Sequence, residues 1–460
     1  MEITLVKTTT PKPKPDPSKL GFGRVFTDHM FIWDYNPQQG WHNARIVPYG
    51  PLEMDPASAV LHYGQAVFEG MKAYRGPAGE ILLFRPEQNM ARLNRSNERM
   101  SIPPFDEELA LQALKKLVAL EQDWIPTAPG TALYIRPFII ATDTVLGVRP
   151  STTYKFIIIL SPVGAYYEEG LNPVSIYVEP HYVRAVRGGT GFAKAAGNYA
   201  GSLLAQKNAQ AKGHAQVLWL DGIERKYVEE VGAMNVFFNI DGELITPDLG
   251  DSILPGVTRD SILQLLRSWG IPAVERRLGV EEIFQAHAAG KLVEAFGCGT
   301  AAVVSPIGRL EYQERVIEIG GGKTGETAVV ERAVLKALGQ QIRHFLLKRT
   351  DPGSALHNGS KMKPAFRVCK QHAGSHRAVE SLMAGHADNV GAGVFKRDRK
   401  MPRRLRSVKD EQNSALFGDF GNPFHRQNPA AYVGRMGDDG GCRFPRDRFF
   451  KILDGDIVVV

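Results

Sequence analysis

Gly188-Gly-Thr-Gly-Phe-Ala-Lys-Ala-Ala-Gly-Asn-Tyr-Ala-Gly201 sets Lys194 in a run of small and apolar residues, with no Asp or Glu within ten positions on either side. Most lysines are solvated surface residues, and that plain reading stays open for any single one. Here, however, the ammonium would lose hydration without a local counter-ion. Such surroundings favour the neutral, nucleophilic amine that Schiff-base chemistry requires.

On both sides of this stretch the pattern is that of an α+β or α/β protein. Ile81–Phe84, Ala132–Ile140, Lys155–Leu160, Val174–Val178, Gln216–Leu220 and Met234–Ile240 are β-branched or aromatic runs bounded by turn residues, and they predict strands. Helices are predicted over Glu107–Leu120, with Leu109, Leu111, Leu114, Leu117 and Val118 as its apolar positions, and over Thr258–Trp269. The Gly/Pro-containing stretch Ser161–Pro173 separates two strand-rich regions. The predicted organisation is a small domain over 1–163, a connecting loop over 164–173, a large domain over 174–347 and a tail over 348–460. Thr327–Leu347 predicts a last helix.

Three further segments carry chemistry. Lys226-Tyr-Val-Glu-Glu-Val-Gly-Ala-Met-Asn-Val-Phe-Phe238 leads carboxylates into an apolar strand. These are either strand-edge and ion-pair residues or, for one of the two glutamates, the partner of a cofactor's ring nitrogen. Leu254-Pro-Gly-Val-Thr-Arg259 runs straight into a helix, whose first turn offers free N–H groups and a positive dipole end to a phosphate. Phe296-Gly-Cys-Gly-Thr-Ala301 follows a strand over Lys291–Phe296 and adds the hydroxyl of Thr300, and Arg92 supplies a positive charge. Gly320-Gly-Gly-Lys-Thr324 suggests a nucleotide phosphate loop, but Ile317 stands where that motif needs glycine.

Composition narrows the class. With 43% apolar and 23% charged residues the 460-residue chain is ordinary for a soluble protein of two or three domains. No apolar run of about 18 residues predicts a membrane span, and the Pro/Lys-rich start does not look like a secretory signal. Cys298, Cys369 and Cys442 are too few and scattered for a disulfide framework, which points to a reducing, cytoplasmic setting. From Thr327 onward 24 Lys and Arg face 13 Asp and Glu, whereas the preceding 326 residues hold 32 against 36. The basic character therefore belongs to the tail, above all to Lys396-Arg-Asp-Arg-Lys-Met-Pro-Arg-Arg-Leu-Arg406. Sparse aliphatics beyond Lys348 predict disorder. No metal is expected, the spacing of Cys369, His372 and His376 lacking a fourth ligand.

Taken together, the segments resemble the branched-chain aminotransferases, members of the fold-type IV pyridoxal-phosphate enzymes (D-amino-acid-aminotransferase-like), over approximately Val6 to Glu326. The matching stretches run in order through Phe26-Thr-Asp-His-Met30, Leu61-His-Tyr-Gly-Gln-Ala-Val-Phe-Glu-Gly-Met-Lys-Ala-Tyr74, Phe84-Arg-Pro86, Tyr134-Ile-Arg-Pro137 and Pro162-Val-Gly-Ala-Tyr166. They continue through Lys194, Gly197-Asn-Tyr199, Glu230-Val-Gly232, Leu254-Pro-Gly256 and Phe296-Gly-Cys-Gly-Thr300. The resemblance implies a two-domain transaminase exchanging an amino group between Leu, Ile or Val and 2-oxoglutarate through a Schiff base of Lys194 with pyridoxal 5'-phosphate. It further implies that Tyr199 bonds the phenolic oxygen, that Glu230 pairs with the ring nitrogen, and that Arg92, Val257, Thr258 and Thr300 hold the phosphate. Phe26, Phe68, Tyr134, Tyr166 and Ala301 resemble substrate-pocket residues, and Arg136 the arginine that orients the tyrosine near the substrate carboxylate. Tyr63, Leu146 and Val148 match positions that the family contributes from a neighbouring subunit, which implies a homodimer.

The chain also departs from its family. Ala302 and Ser305 stand where animal relatives carry a C-x-x-C pair, so thiol regulation there is not expected, and Ala233 replaces a common threonine. A relative of the same fold acting on D-amino acids, amines or aminodeoxychorismate is the enzymatic alternative. The segments Phe68–Lys72 and Tyr134–Pro137 favour the branched-chain branch over it. The alternative of another class is a nucleic-acid-associating protein acting through the basic tail. No aromatic residue is interleaved with that basic block for stacking on bases.

Overall fold

The computed structural model describes residues 1–76, 79–128, 130–164 and 172–325, and the backbone of 457–459. Tyr166, most of the connecting loop, the helix expected over Thr327–Leu347, the basic block and the Cys369/His372/His376 group lie outside the described residues.

Among the described residues two nine-stranded sheets form the scaffold. The first runs in the order Thr4–Leu5, Gly40–Pro48, His29–Asn36, Tyr154–Val163, Ala132–Ala141, Met71–Arg75, Ile81–Phe84 and Ile457–Val459, with Ala66–Phe68 also paired to Ala132–Ala141. It is antiparallel except for the Thr4–Leu5 pairing. Helices Pro86–Arg99 and Glu107–Leu120 belong to this half. Phe31, Trp33, Leu83, Met90, Leu93, Leu114, Leu117 and Phe156 fill a common core between them and the sheet.

The second sheet is mixed, and its parallel pairs need crossover connections where antiparallel neighbours need only short turns. Its order is Val228–Val231, Gln216–Leu220, Val174–Val178, Val303–Tyr312, Leu292–Gly299, Asn235–Ile240, Glu243–Thr246 and Ala273–Glu275, with Arg315–Glu318 paired to Val303–Tyr312. Helix Val257–Trp269 packs Ile262, Leu263 and Leu266 against Phe237 and Phe296, whose rings stack 5.2 Å apart.

Local chemistry explains the helix limits. Asp106 caps Glu107–Leu120 by accepting from the N–H groups of Glu108 and Leu109, and two acidic residues in the first turn complement the dipole. The face that this helix buries is Ala110, Ala113, Leu114, Leu117 and Val118. Leu109 and Leu111 are only partly buried, because at helical spacing they fall on the two flanks of that face. Pro86 opens the helix Pro86–Arg99, where its missing N–H costs nothing. The preceding Arg85 adopts a left-handed φ of 46° and aims its guanidinium at Asp260 (2.7 Å) and Ser261 (2.8 Å), tying the two halves together.

Candidate active site

Lys194 is the last residue of a turn-rich segment and is held from the first half of the molecule. Its N–H donates to Ser96 Oγ at 2.9 Å and its carbonyl accepts from the Phe68 N–H at 3.1 Å. Ala195 bridges Val67, and the short helix Ala196–Ala200 then brings Tyr199 round, so that Lys194 Nζ donates to Tyr199 Oη at 2.9 Å. The ammonium lies 4.8 Å from the centre of the Phe68 ring and 5.1 Å from that of Tyr199. The sequence around Lys194 is uncharged, yet the fold places Glu69 and Glu230 within its electrostatic reach.

Glu230 is 3% exposed. Its Oε1 accepts from the Leu254 N–H at 2.8 Å, and its Oε2 stands 3.1 Å from Arg184 Nε. Burial pushes the carboxyl above the usual glutamate range and prevails over the opposing pull of Arg184, the Leu254 N–H, Lys194 and Arg92. Arg184 also donates to the carbonyls of Gly191 (3.1 Å) and Ser252 (2.5 Å), which links the Lys194 segment to the loop before helix Val257–Trp269.

Arg92 and the first turn of helix Val257–Trp269 meet at that loop. Gly256 is the N-cap and makes no side-chain capping bond, leaving the first N–H groups of Val257 and Thr258 available to an anion. A side chain at Gly256 would strike Asn235 Oδ1, whose amide donates to the Leu254 carbonyl at 2.9 Å. Arg92 reaches the same turn, donating from Nη1 to the Pro255 carbonyl at 3.0 Å. Thr300 sits in the turn between Leu292–Gly299 and Val303–Tyr312, where Lys72 Nζ donates to the Ala301 carbonyl at 2.7 Å.

Tyr134, Arg136 and Phe68 gather beside Lys194. Arg136 Nη2 donates to Tyr134 Oη at 3.2 Å, and the guanidinium lies 4.7 Å from the Phe68 ring centre. Arg136 Nε is buried without a hydrogen-bond partner, and no ion pair to Arg136 occurs among the described residues. Phe22 meets Tyr134 edge-on at 4.9 Å, and Gly70 has no room for a side chain because it would strike Tyr134 Oη. Phe26 is stacked on Tyr49 instead, 5.1 Å away. Tyr63, Leu146 and Val148 form a separate exposed group, joined by a hydrogen bond from the Tyr63 hydroxyl to the Leu146 carbonyl. Among these residues Glu69, Arg184, Asn235, Ser96 and Phe22 had no assigned role in the sequence. Glu69 lies within a quoted family segment, but nothing local distinguishes its carboxylate.

A primary amine beside a phenol, a buried carboxylate and an anion-ready helix start suit a phosphorylated aldehyde cofactor, and the donor set fits pyridoxal phosphate. The class so defined is that of pyridoxal-phosphate enzymes. The profile described as amino-transferase class IV matches residues 66–310. Branched-chain-amino-acid aminotransferase 2 of Bacillus subtilis (strain 168) is 61% identical over 326 residues, covering 71% of this chain and 90% of that protein. The branched-chain-amino-acid aminotransferase of Mycolicibacterium smegmatis is 48% identical over 323 residues, covering 69% and 88%. A crystal structure of the branched-chain amino acid aminotransferase from Thermobaculum terrenum in its PLP-form superposes with a TM-score of 0.54 at 27% identity, covering 67% of this chain and 93% of that one. The Escherichia coli enzyme gives 0.55 at 27%, covering 67% and 94%. The chain belongs to the class IV aminotransferases, enzymes of fold type IV that depend on pyridoxal phosphate.

Proposed function

We propose that this protein is a branched-chain amino acid transaminase, moving the amino group of L-leucine, L-isoleucine or L-valine to 2-oxoglutarate and back. The observation that carries the reading is the joining of Lys194, with its Tyr199 hydroxyl, to an apolar aromatic wall of Phe68 and Tyr134. That wall suits branched aliphatic side chains. Beside that wall the Arg136 guanidinium, without an ion-pair partner among the described residues, suits a carboxylate.

Arg92, Val257, Thr258 and Thr300 would hold the phosphate, Tyr199 the phenolic oxygen, and Glu230 the ring nitrogen. When bound, pyridoxal phosphate supplies the aldehyde that receives the amino group and a ring that accepts the electrons of the Cα–H bond. Lys194 Nζ moves the proton from the substrate Cα, aimed by Tyr199 and by backbone bonds at both its N–H and its carbonyl. Tyr134, steadied by Arg136 and by close packing on Gly70, presents its hydroxyl to the substrate carboxylate. Phe26, Tyr166 and Ala301 complete the pocket in this reading.

The absorbance spectrum of purified protein tests the whole. L-leucine is expected to convert the bound-cofactor band to that of the pyridoxamine form, and 2-oxoglutarate to restore it. An unchanged band with Leu, Ile and Val sinks the assignment, and conversion by D-amino acids or simple amines would favour a different substrate branch.

The second half of the proposal is a homodimer in the cytoplasm. Leu146 is 77% exposed and Val148 87%, and with Tyr63 they make an apolar group that a neighbouring subunit's pocket would cover. Val148→Asp is expected to weaken self-association by about tenfold or more and to lower kcat/KM with it, since an unpaired carboxylate would enter an apolar interface. Sedimentation velocity across a concentration series checks this. Among the described residues no helix is long and apolar enough to cross a membrane.

A further inference from the structure

Glu69 follows the strand Ala66–Phe68 and is completely buried, at 0% exposure. Its Oε1 accepts from Arg92 Nε at 2.7 Å, and its Oε2 accepts from Arg92 Nη2 at 2.9 Å. Asn89 Nδ2 (2.8 Å) and the Gly70 N–H (3.1 Å) also donate to Oε2. Burial pushes this carboxyl up, but Arg92, Lys194 and Asn89 together outweigh burial and hold it below the usual glutamate range, so it is ionised at neutral pH. The chain therefore places a carboxylate in side-on contact with the arginine that the proposed function gives to the phosphate.

The commitments of Arg92 can be followed hydrogen by hydrogen. Nε–H and one hydrogen of Nη2 go to Glu69, and one hydrogen of Nη1 goes to the Pro255 carbonyl. One hydrogen remains on each terminal nitrogen. A pair so spaced matches two oxygens of a phosphate monoester, and the Pro255 contact sets it against the turn that opens helix Val257–Trp269. Left to itself, an arginine on a flexible stem would lose rotamer freedom on taking up that pose, and this weakens the contact.

We propose that Glu69 is the positioning residue of the cofactor's phosphate site, fixing the Arg92 guanidinium with its terminal nitrogens towards the Pro255–Thr258 turn before the ligand arrives. The inference rests on Arg92 being a phosphate ligand. In this role Glu69 acts through Arg92 and would touch neither substrate nor cofactor. Its carboxylate offsets the charge of Arg92, so its contribution is orientation and not attraction.

The test compares the binding of pyridoxal phosphate with that of unphosphorylated pyridoxal to the full-length apoprotein, titrated by cofactor absorbance. In Glu69→Gln an amide N–H is turned towards a guanidinium N–H and the side-on fork is broken. Affinity for pyridoxal phosphate is expected to fall by about tenfold or more, while affinity for pyridoxal stays unchanged. Glu69→Asp, which keeps the charge on a shorter arm, is expected to lie between. An equal loss for both ligands would make Glu69 merely structural, and tighter binding of pyridoxal phosphate would mean that it only drains positive charge. Either overturns the proposal. Should Glu69→Gln fail to fold, Asn89→Ala, which removes one support of the carboxylate, must still weaken pyridoxal phosphate selectively. Without that selectivity the proposal falls. Arg92→Gln separates the two levels: if it loses no phosphate selectivity, the reading of Arg92 itself is wrong.

Discussion

Lys194→Ala is expected to lower amino-group transfer by about 10⁴-fold or more, because one side chain serves as both nucleophile and proton carrier. The fold should survive. Lys194 owes its place to backbone bonds with Ser96 and Phe68, and these do not involve its side chain. Circular dichroism should show native structure in the variant. Borohydride should fix the cofactor to the native chain within the peptide that contains Lys194 and should leave the variant unlabelled. Label on another lysine of the variant would show that the nucleophile has been misassigned.

Glu230→Gln carries the next largest effect, an expected loss of about 10²–10³-fold in kcat with a much smaller change in KM. The carboxylate lies among apolar strand residues, where burial raises its proton affinity despite Arg184 and the Leu254 N–H. A group in that condition binds a proton, or a cationic ring N–H, more readily than an exposed glutamate does. An amide cannot keep the ring nitrogen protonated, so the electrons released at Cα would lose their acceptor. The sign with pH follows. Because the pKa of Glu230 is raised, acidification protonates it earlier than an ordinary glutamate. Any acid limb in kcat/KM due to this carboxyl should therefore be missing from the amide variant. A pH–rate profile that keeps the same limb in Glu230→Gln assigns the limb to another group.

Strands and helices with strong periodicity were legible in the sequence. Ile81–Phe84, Val174–Val178, Gln216–Leu220 and Glu107–Leu120 have the predicted limits, since turn residues and the Asp106 cap bound them locally. Short strands such as Thr4–Leu5 and Ala273–Glu275 were not, because pairing with distant partners makes them strands. The sequence picked out Lys194 through its uncharged neighbourhood and the glycine turns through their link to a helix. It could not reveal Arg184 or Glu69. Their roles arise from contacts across the fold, with Gly191, Ser252 and Glu230 in one case and with Arg92 in the other. Position in sequence also misleads in one respect: Lys194 has no acidic neighbour within ten positions along the chain, yet two buried carboxylates act on it in space.

Arg85 on Asp260, Arg92 on Pro255, Lys72 on Ala301 and Ser96 on Lys194 all join one half of the molecule to the other around the same centre. A ligand gripped from both halves exists only in the docked state, so its binding free energy adds to the cohesion of the chain. At a free concentration of about 100 times its dissociation constant, such a ligand adds about 2.7 kcal/mol to stability. Cofactor-free protein is therefore expected to unfold at a lower temperature than protein saturated with pyridoxal phosphate, which thermal melts with and without added cofactor check.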